Sequence, residues 1–110
     1  MRISSLFFLS WFQFALLSWS CLGPVSEGIF FFSWQDKIMH LGGFFWVNWW
    51  IFKVQGRSGW GLGLLALHAM SMEVLQIWIV GRYFDFFDLA ANLLGLSLAW
   101  YWAKPRPQVI

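Results

Sequence analysis

The chain has 110 residues, of which 60% are hydrophobic, 23% aromatic and only 11% charged. A soluble domain is roughly half apolar and about a quarter charged, so this composition excludes an ordinary soluble globule and indicates a single membrane domain over 1–110. The net charge of +2 is small and its Lys and Arg are scattered, which leaves no basic face for nucleic acid.

A membrane-spanning helix needs about twenty mostly apolar residues. The first such run is residues 3–22. The stretch 17-LSWSC-21 resembles a poor lipoprotein cleavage site, but Trp19 spoils it and the apolar run is longer than a signal core, so a retained helix is expected. Cys21, the single cysteine, can form neither an internal disulfide nor a metal site alone. The segment 23-GPVSEG-28 breaks the run, and 29-IFFFSW-34 is short and aromatic, suited to a membrane interface. A second helix is predicted over 37–52, and the turn 53-KVQGRSG-59 separates it from a third over 60–80. Gly81 and Arg82 mark the next break, and a fourth helix is predicted over 84–103, stopped by Lys104 and Pro105.

These elements predict an all-α integral membrane four-helix bundle whose short connections make neighbours antiparallel. Arg2, Lys53, Arg57, Lys104 and Arg106 fall on one side; Lys37 and Arg82 fall on the other, near Glu27, Asp36, Asp85 and Asp88. By the positive-inside rule both termini are expected in the cytoplasm.

That topology gathers polar residues in the outer half of the bundle. Asp36 and His40 are four apart and share a helix face; Glu73 and Gln76 are three apart; Asp85, Asp88, Asn92 and Gly95 form one stripe. A carboxylate at the bilayer centre costs roughly 2.5–3.5 kcal/mol on insertion scales, so such groups face the bundle interior and find partners. A shared pocket is therefore expected. The structural alternative is that Arg82 pairs with Asp85 and Asp88, and Asp36 with Lys37 or His40, as anchors without activity. His68 and Asn48 are expected in packing or an interhelical hydrogen bond. The ten Trp are expected mainly as an interfacial belt, and Gly42, Gly43, Gly61, Gly63 and Gly95 as points of close helix approach.

The series 36-DKIMH-40, 73-EVLQ-76, Arg82 and 88-DLAANLLG-95 resembles the VanZ-like family of small bacterial membrane proteins. The resemblance runs from Asp36 to Trp102 and carries Asp-Lys-x-x-His, Glu-x-x-Gln, an Arg about six residues on, and Asp-x-x-x-Asn-x-x-Gly, in order. It implies a multi-pass protein of the bacterial cytoplasmic (inner) membrane with a cell-envelope role, and a link to antibiotic resistance through teicoplanin susceptibility. It implies no reaction.

Two functional classes follow. In the first, an outward-facing pocket binds or acts on a membrane lipid or a lipid-linked, peptidoglycan-related anionic precursor. Asp36, His40 and Glu73 are the expected catalytic groups: His40 as acid or base oriented by Asp36, and buried Glu73 as proton donor or acceptor. Lys37, Gln76, Arg82, Asp85, Asp88 and Asn92 are the expected substrate-binding groups, with Arg82 on the anion. In the second, the chain is a non-enzymatic assembly protein whose polar cluster docks a protein partner or a second copy. Ion or proton transport fits poorly, because His68 is nearly the only ionisable group of the inner half. Asp36, His40, Glu73 and Asp88 are metal-ligand types, but no His-rich or Cys-rich spacing accompanies them, so neither a metal nor a cofactor is expected.

Overall fold

A computed structural model describes residues 3–22, 35–79 and 84–103. Glu27, the aromatic piece at 29–34, Arg82 and the basic tail lie outside the described residues. The described chain is all-helical: α1 Ile3–Leu22, α2 Gln35–Gln55, α3 Gly59–Leu75 followed by a short 3-10 turn Gln76–Trp78, and α4 Phe86–Trp102. All four predicted helices are present, with shifted ends.

Three of the shifts have a local cause. The second helix runs three residues beyond Phe52 to Gln55 and stops at Gly56, whose φ of 88° is left-handed and whose N–H bonds back to the Phe52 carbonyl. Ser58 then starts α3, its hydroxyl accepting from the Gly61 N–H at 3.0 Å. The fourth helix starts at Phe86 rather than residue 84 because Asp85 is its N-cap, accepting from the Phe87 N–H at 2.8 Å.

The 56–58 connection reverses the chain direction, and α3 packs chiefly on α4 and, less, on α1. The end of α1 lies beside the end of α3, since the Gln76 amide reaches the Cys21 carbonyl. The beginnings of α2 and α4 also meet, through His40 and Asn92. Consecutive helices therefore run antiparallel, with α2 parallel to α4. One end of the bundle holds the start of α2, the end of α3 and the start of α4; the other holds the 56–58 turn and the end of α4.

The two ends differ in chemistry. Val47, Ile51, Phe52, Leu65, Leu96, Ala99 and Ala103 form an apolar core toward the turn end. Buried His40, Glu73, Gln76, Asp88 and Asn92 occupy the opposite end. Gly95 makes the α2–α4 approach possible: a Cβ there would collide with the Leu41 carbonyl oxygen and come within 3.0 Å of the Phe45 nitrogen. By length and composition two segments, Ser5–Leu22 and Gly59–Trp78, are long and apolar enough to cross a membrane.

Candidate functional site

The polar end is one connected network drawn from three helices. From the first turn of α2, the Lys37 ammonium stands 2.7 Å from Asp85 Oδ2, 3.2 Å from Asp88 Oδ1 and 3.5 Å from Asp36 Oδ2. Contact with Lys37 holds the Asp85 carboxyl below its usual range, helped by the Phe87 and Asp88 N–H groups that its other oxygen caps. Asp85 thus links a helix start to an ion cluster.

One turn deeper, His40 Nδ1 lies 2.6 Å from Asn92 Oδ1. An amide oxygen only accepts, so Nδ1 carries the proton and donates. With Nδ1 protonated, it is Nε2 that can offer a lone pair. That atom faces Asp36 Oδ1 at 3.6 Å and Asp88 Oδ2 at 3.8 Å, both beyond hydrogen-bond distance. Asp36 was expected to orient His40; Asn92, across the helix interface, does so instead.

Glu73 comes from the last turns of α3 and is fully buried. Its Oε1 accepts from the Asp85 backbone N–H at 3.1 Å, while Oε2 has no hydrogen-bond partner among the described residues. Burying a carboxylate oxygen without a partner is costly, so its retention here is informative.

Of the residues expected at the site, Asp36, Lys37, His40, Glu73, Asp85, Asp88 and Asn92 converge. The pairing is shared, not pairwise: Lys37 serves three carboxylates, and Asp36 and Asp88 each turn one oxygen to Lys37 and the other to His40. Gln76 departs from the expectation. Its amide donates to the Cys21 carbonyl oxygen at 2.9 Å and ties α3 to α1. Arg82 lies outside the described residues.

His68 and Asn48 behave as expected of packing residues. His68 Nε2 is 2.9 Å from Ser18 Oγ, and its ring lies against Phe14 and Phe44. The Asn48 amide donates to the Phe44 carbonyl of its own helix.

A feature missed in the sequence sits at the other end. Arg57 donates from Nη1 to the Trp100 carbonyl oxygen at 2.6 Å and lies 4.1 Å over the Trp100 ring. Beside it is a cavity of about 330 Å³ lined by Phe52, Lys53, Gly56, Arg57 and Ala103.

Fold and site together define a helical bundle with one apolar end and one acid–base end. No protein-family profile and no solved structure matches the chain. An uncharacterized protein of Schizosaccharomyces pombe is 36% identical to it over 71 residues, which is 59% of this chain and 44% of that protein. The match thus spans less than half of that relative's length.

Proposed function

We propose that the chain is a multi-pass membrane protein that holds the anionic headgroup of a lipid-linked substrate at the polar end of its bundle. The observation that carries the reading is the gathering of Lys37 and His40 in a polar network from three helices at one end of an otherwise apolar body. In this reading Lys37 meets the anion and His40 moves a proton with Asn92 fixing its ring, and Arg82, outside the described residues, is a second expected anion-binding group.

Membrane immersion is supported by the surface. Trp19, Trp60 and Trp78 are 74%, 75% and 72% exposed, and Phe8, Phe86 and Phe87 are exposed as well. Trp60 and Trp78 sit at the two ends of the third helical segment, about 27 Å apart by helical rise, close to the roughly 30 Å of a bilayer's hydrocarbon core. The positive-inside count orients the polar end outward, with both termini in the cytoplasm.

The VanZ-like resemblance supplies the narrower form of the proposal: a bacterial inner-membrane protein acting on a peptidoglycan-related precursor, with an effect on teicoplanin susceptibility. The broader form is a phosphate-bearing polyprenyl lipid, the anionic carrier common to lipid-linked precursors. The test is binding of a polyprenyl phosphate to the protein in nanodiscs. Wild type is expected to bind it over the uncharged polyprenol, and Lys37→Met to weaken binding at least tenfold. Equal binding of both lipids, or an unchanged Lys37→Met, would sink the reading.

The second reading, a structural network in an assembly protein, is favoured by the 2.7 Å contact that already engages Lys37 with Asp85. Crosslinking that recovers a stoichiometric protein partner, kept in Glu73→Gln, would select it.

A further inference from the structure

The acid–base end has a charge and geometry that the headgroup reading does not use. Lys37 is the one Lys or Arg among the described residues that contacts Asp36, Asp85 and Asp88, so three carboxyl groups share a single ammonium there. The carboxylate oxygens that do not face Lys37, Asp36 Oδ1 and Asp88 Oδ2, face His40 Nε2 instead. Three electron-pair donors therefore point at a common space, all within 4.8 Å of one another.

We propose that Asp36, His40 and Asp88 form a binding site for a first-row divalent metal cation. Ligand atoms about 2.0–2.2 Å from a metal lie roughly 3.0–3.6 Å from each other, so the Nε2 edges of 3.6 and 3.8 Å need to close only slightly. One imidazole with two carboxylates is a donor set for Mn, Fe or Zn, and leaves coordination positions open.

Two observations independent of the triangle point the same way. A metal-bound histidine donates its other ring N–H to an oxygen that fixes its tautomer. Asn92 Oδ1 does this to His40 Nδ1 at 2.6 Å, and Asn92 is fully buried. Glu73, also fully buried, keeps Oε2 without a hydrogen-bond partner and lies within electrostatic reach of Asp88 and His40. A buried carboxylate oxygen with no partner among the described residues is one that a water on the metal would satisfy.

The site needs nothing from the headgroup reading. Its role does rest on that reading: a divalent cation would bridge the substrate phosphate to an end of the bundle that is otherwise acidic.

The experiment uses the full chain in nanodiscs, stripped with chelator and titrated with Mn2+, following free Mn2+ by electron paramagnetic resonance. One equivalent is expected to bind, with a nitrogen modulation from a coordinated imidazole in the wild type. The chain has two His, so His68→Ala, which should keep both signals, assigns the nitrogen to His40. His40→Ala and Asp88→Asn should weaken binding at least tenfold with helical circular dichroism retained. Asn92→Ala should weaken it about 10- to 100-fold, as for removal of a ligand's orienting partner. No stoichiometric binding, no nitrogen modulation in the wild type, or affinity unchanged in folded His40→Ala and Asp88→Asn would overturn the proposal. Polyprenyl phosphate binding that persists in chelator overturns the metal's bridging role and leaves the headgroup reading standing. Mn2+ binding without lipid binding does the reverse.

Discussion

His40 of α2 and Asn92 of α4 meet at 2.6 Å across the most extensive helix pairing among the described residues, and with Asn92 Oδ1 as acceptor the contact puts a proton on Nδ1. It joins fold to chemistry, because the same bond that registers two helices aims Nε2 at Asp36 and Asp88. Asn92→Leu strands a buried donor and should cost about 1–3 kcal/mol, read as an earlier midpoint in SDS-titrated unfolding. Asn48→Leu is the contrast. Asn48 bonds only its own helix, and its Oδ1 has no partner among the described residues. That change should be near neutral, within about 0.5 kcal/mol.

The position of that contact depends on Gly95, one turn further along α4. A methyl there meets backbone atoms of Leu41 and Phe45, which cannot rotate aside. Gly95→Ala should push α4 from α2 and destabilise by about 1–3 kcal/mol. Gly42→Ala, on the same helix pair but with nothing within 4 Å of its Cβ, should stabilise by up to about 1 kcal/mol through helix propensity. Thermal unfolding of the two variants in one detergent gives the comparison, and equal effects would contradict the close approach.

The helices were legible in the sequence because apolar runs of the right length alternate with Gly, Pro and charged breaks. Their ends were less legible, since the Asp85 cap and the left-handed Gly56 act through geometry that a run of residues does not display. The site was largely legible for a similar reason: Asp85, Asp88, Asn92 and Gly95 recur at helical spacing, and their cost in an apolar chain marks them. What spacing within a helix cannot show is which residues pair between helices. Asn92 therefore went unrecognised as the partner of His40, and although Asp36, His40, Glu73 and Asp88 are metal-ligand types, no spacing sets the triangle of Asp36, His40 and Asp88 apart from Glu73. The partners of Gln76 and Arg57 are hidden for another reason. Both donate to backbone carbonyls, of Cys21 and Trp100, and a backbone acceptor leaves no trace in residue identity.

Lys37 and Asp85 offer a measurable coupling. Their side chains are about a third exposed, so water screens the pair. A double-mutant cycle with Lys37→Met and Asp85→Asn should give a coupling on the order of 1 kcal/mol or less. The single Lys37→Met should be the more harmful of the two, because it also leaves Asp88 and Asp36 facing each other without a cation. Asn still caps a helix, so a reversed order would mean that the Asp85 charge matters beyond its pairing with Lys37.

At the opposite end Arg57 closes α4 in two ways. Its Nη1 satisfies the Trp100 carbonyl, one of the last oxygens that a helix leaves without an internal partner, and its positive charge suits the negative end of the helix dipole. Its planar guanidinium also lies 4.1 Å over the Trp100 ring, a contact that a rounded ammonium does not reproduce. Arg57→Ala should therefore lower stability by about 1–2 kcal/mol, and Arg57→Lys should recover only the charge-dependent part. Unfolding midpoints at low and high salt separate the two contributions. The Lys variant should lose its residual advantage as salt rises, whereas the wild type should keep the stacking share. If Arg57→Lys equals wild type at every salt concentration, the bond to the carbonyl and the stacking are dispensable, and a positive charge near the end of α4 is all that the helix requires.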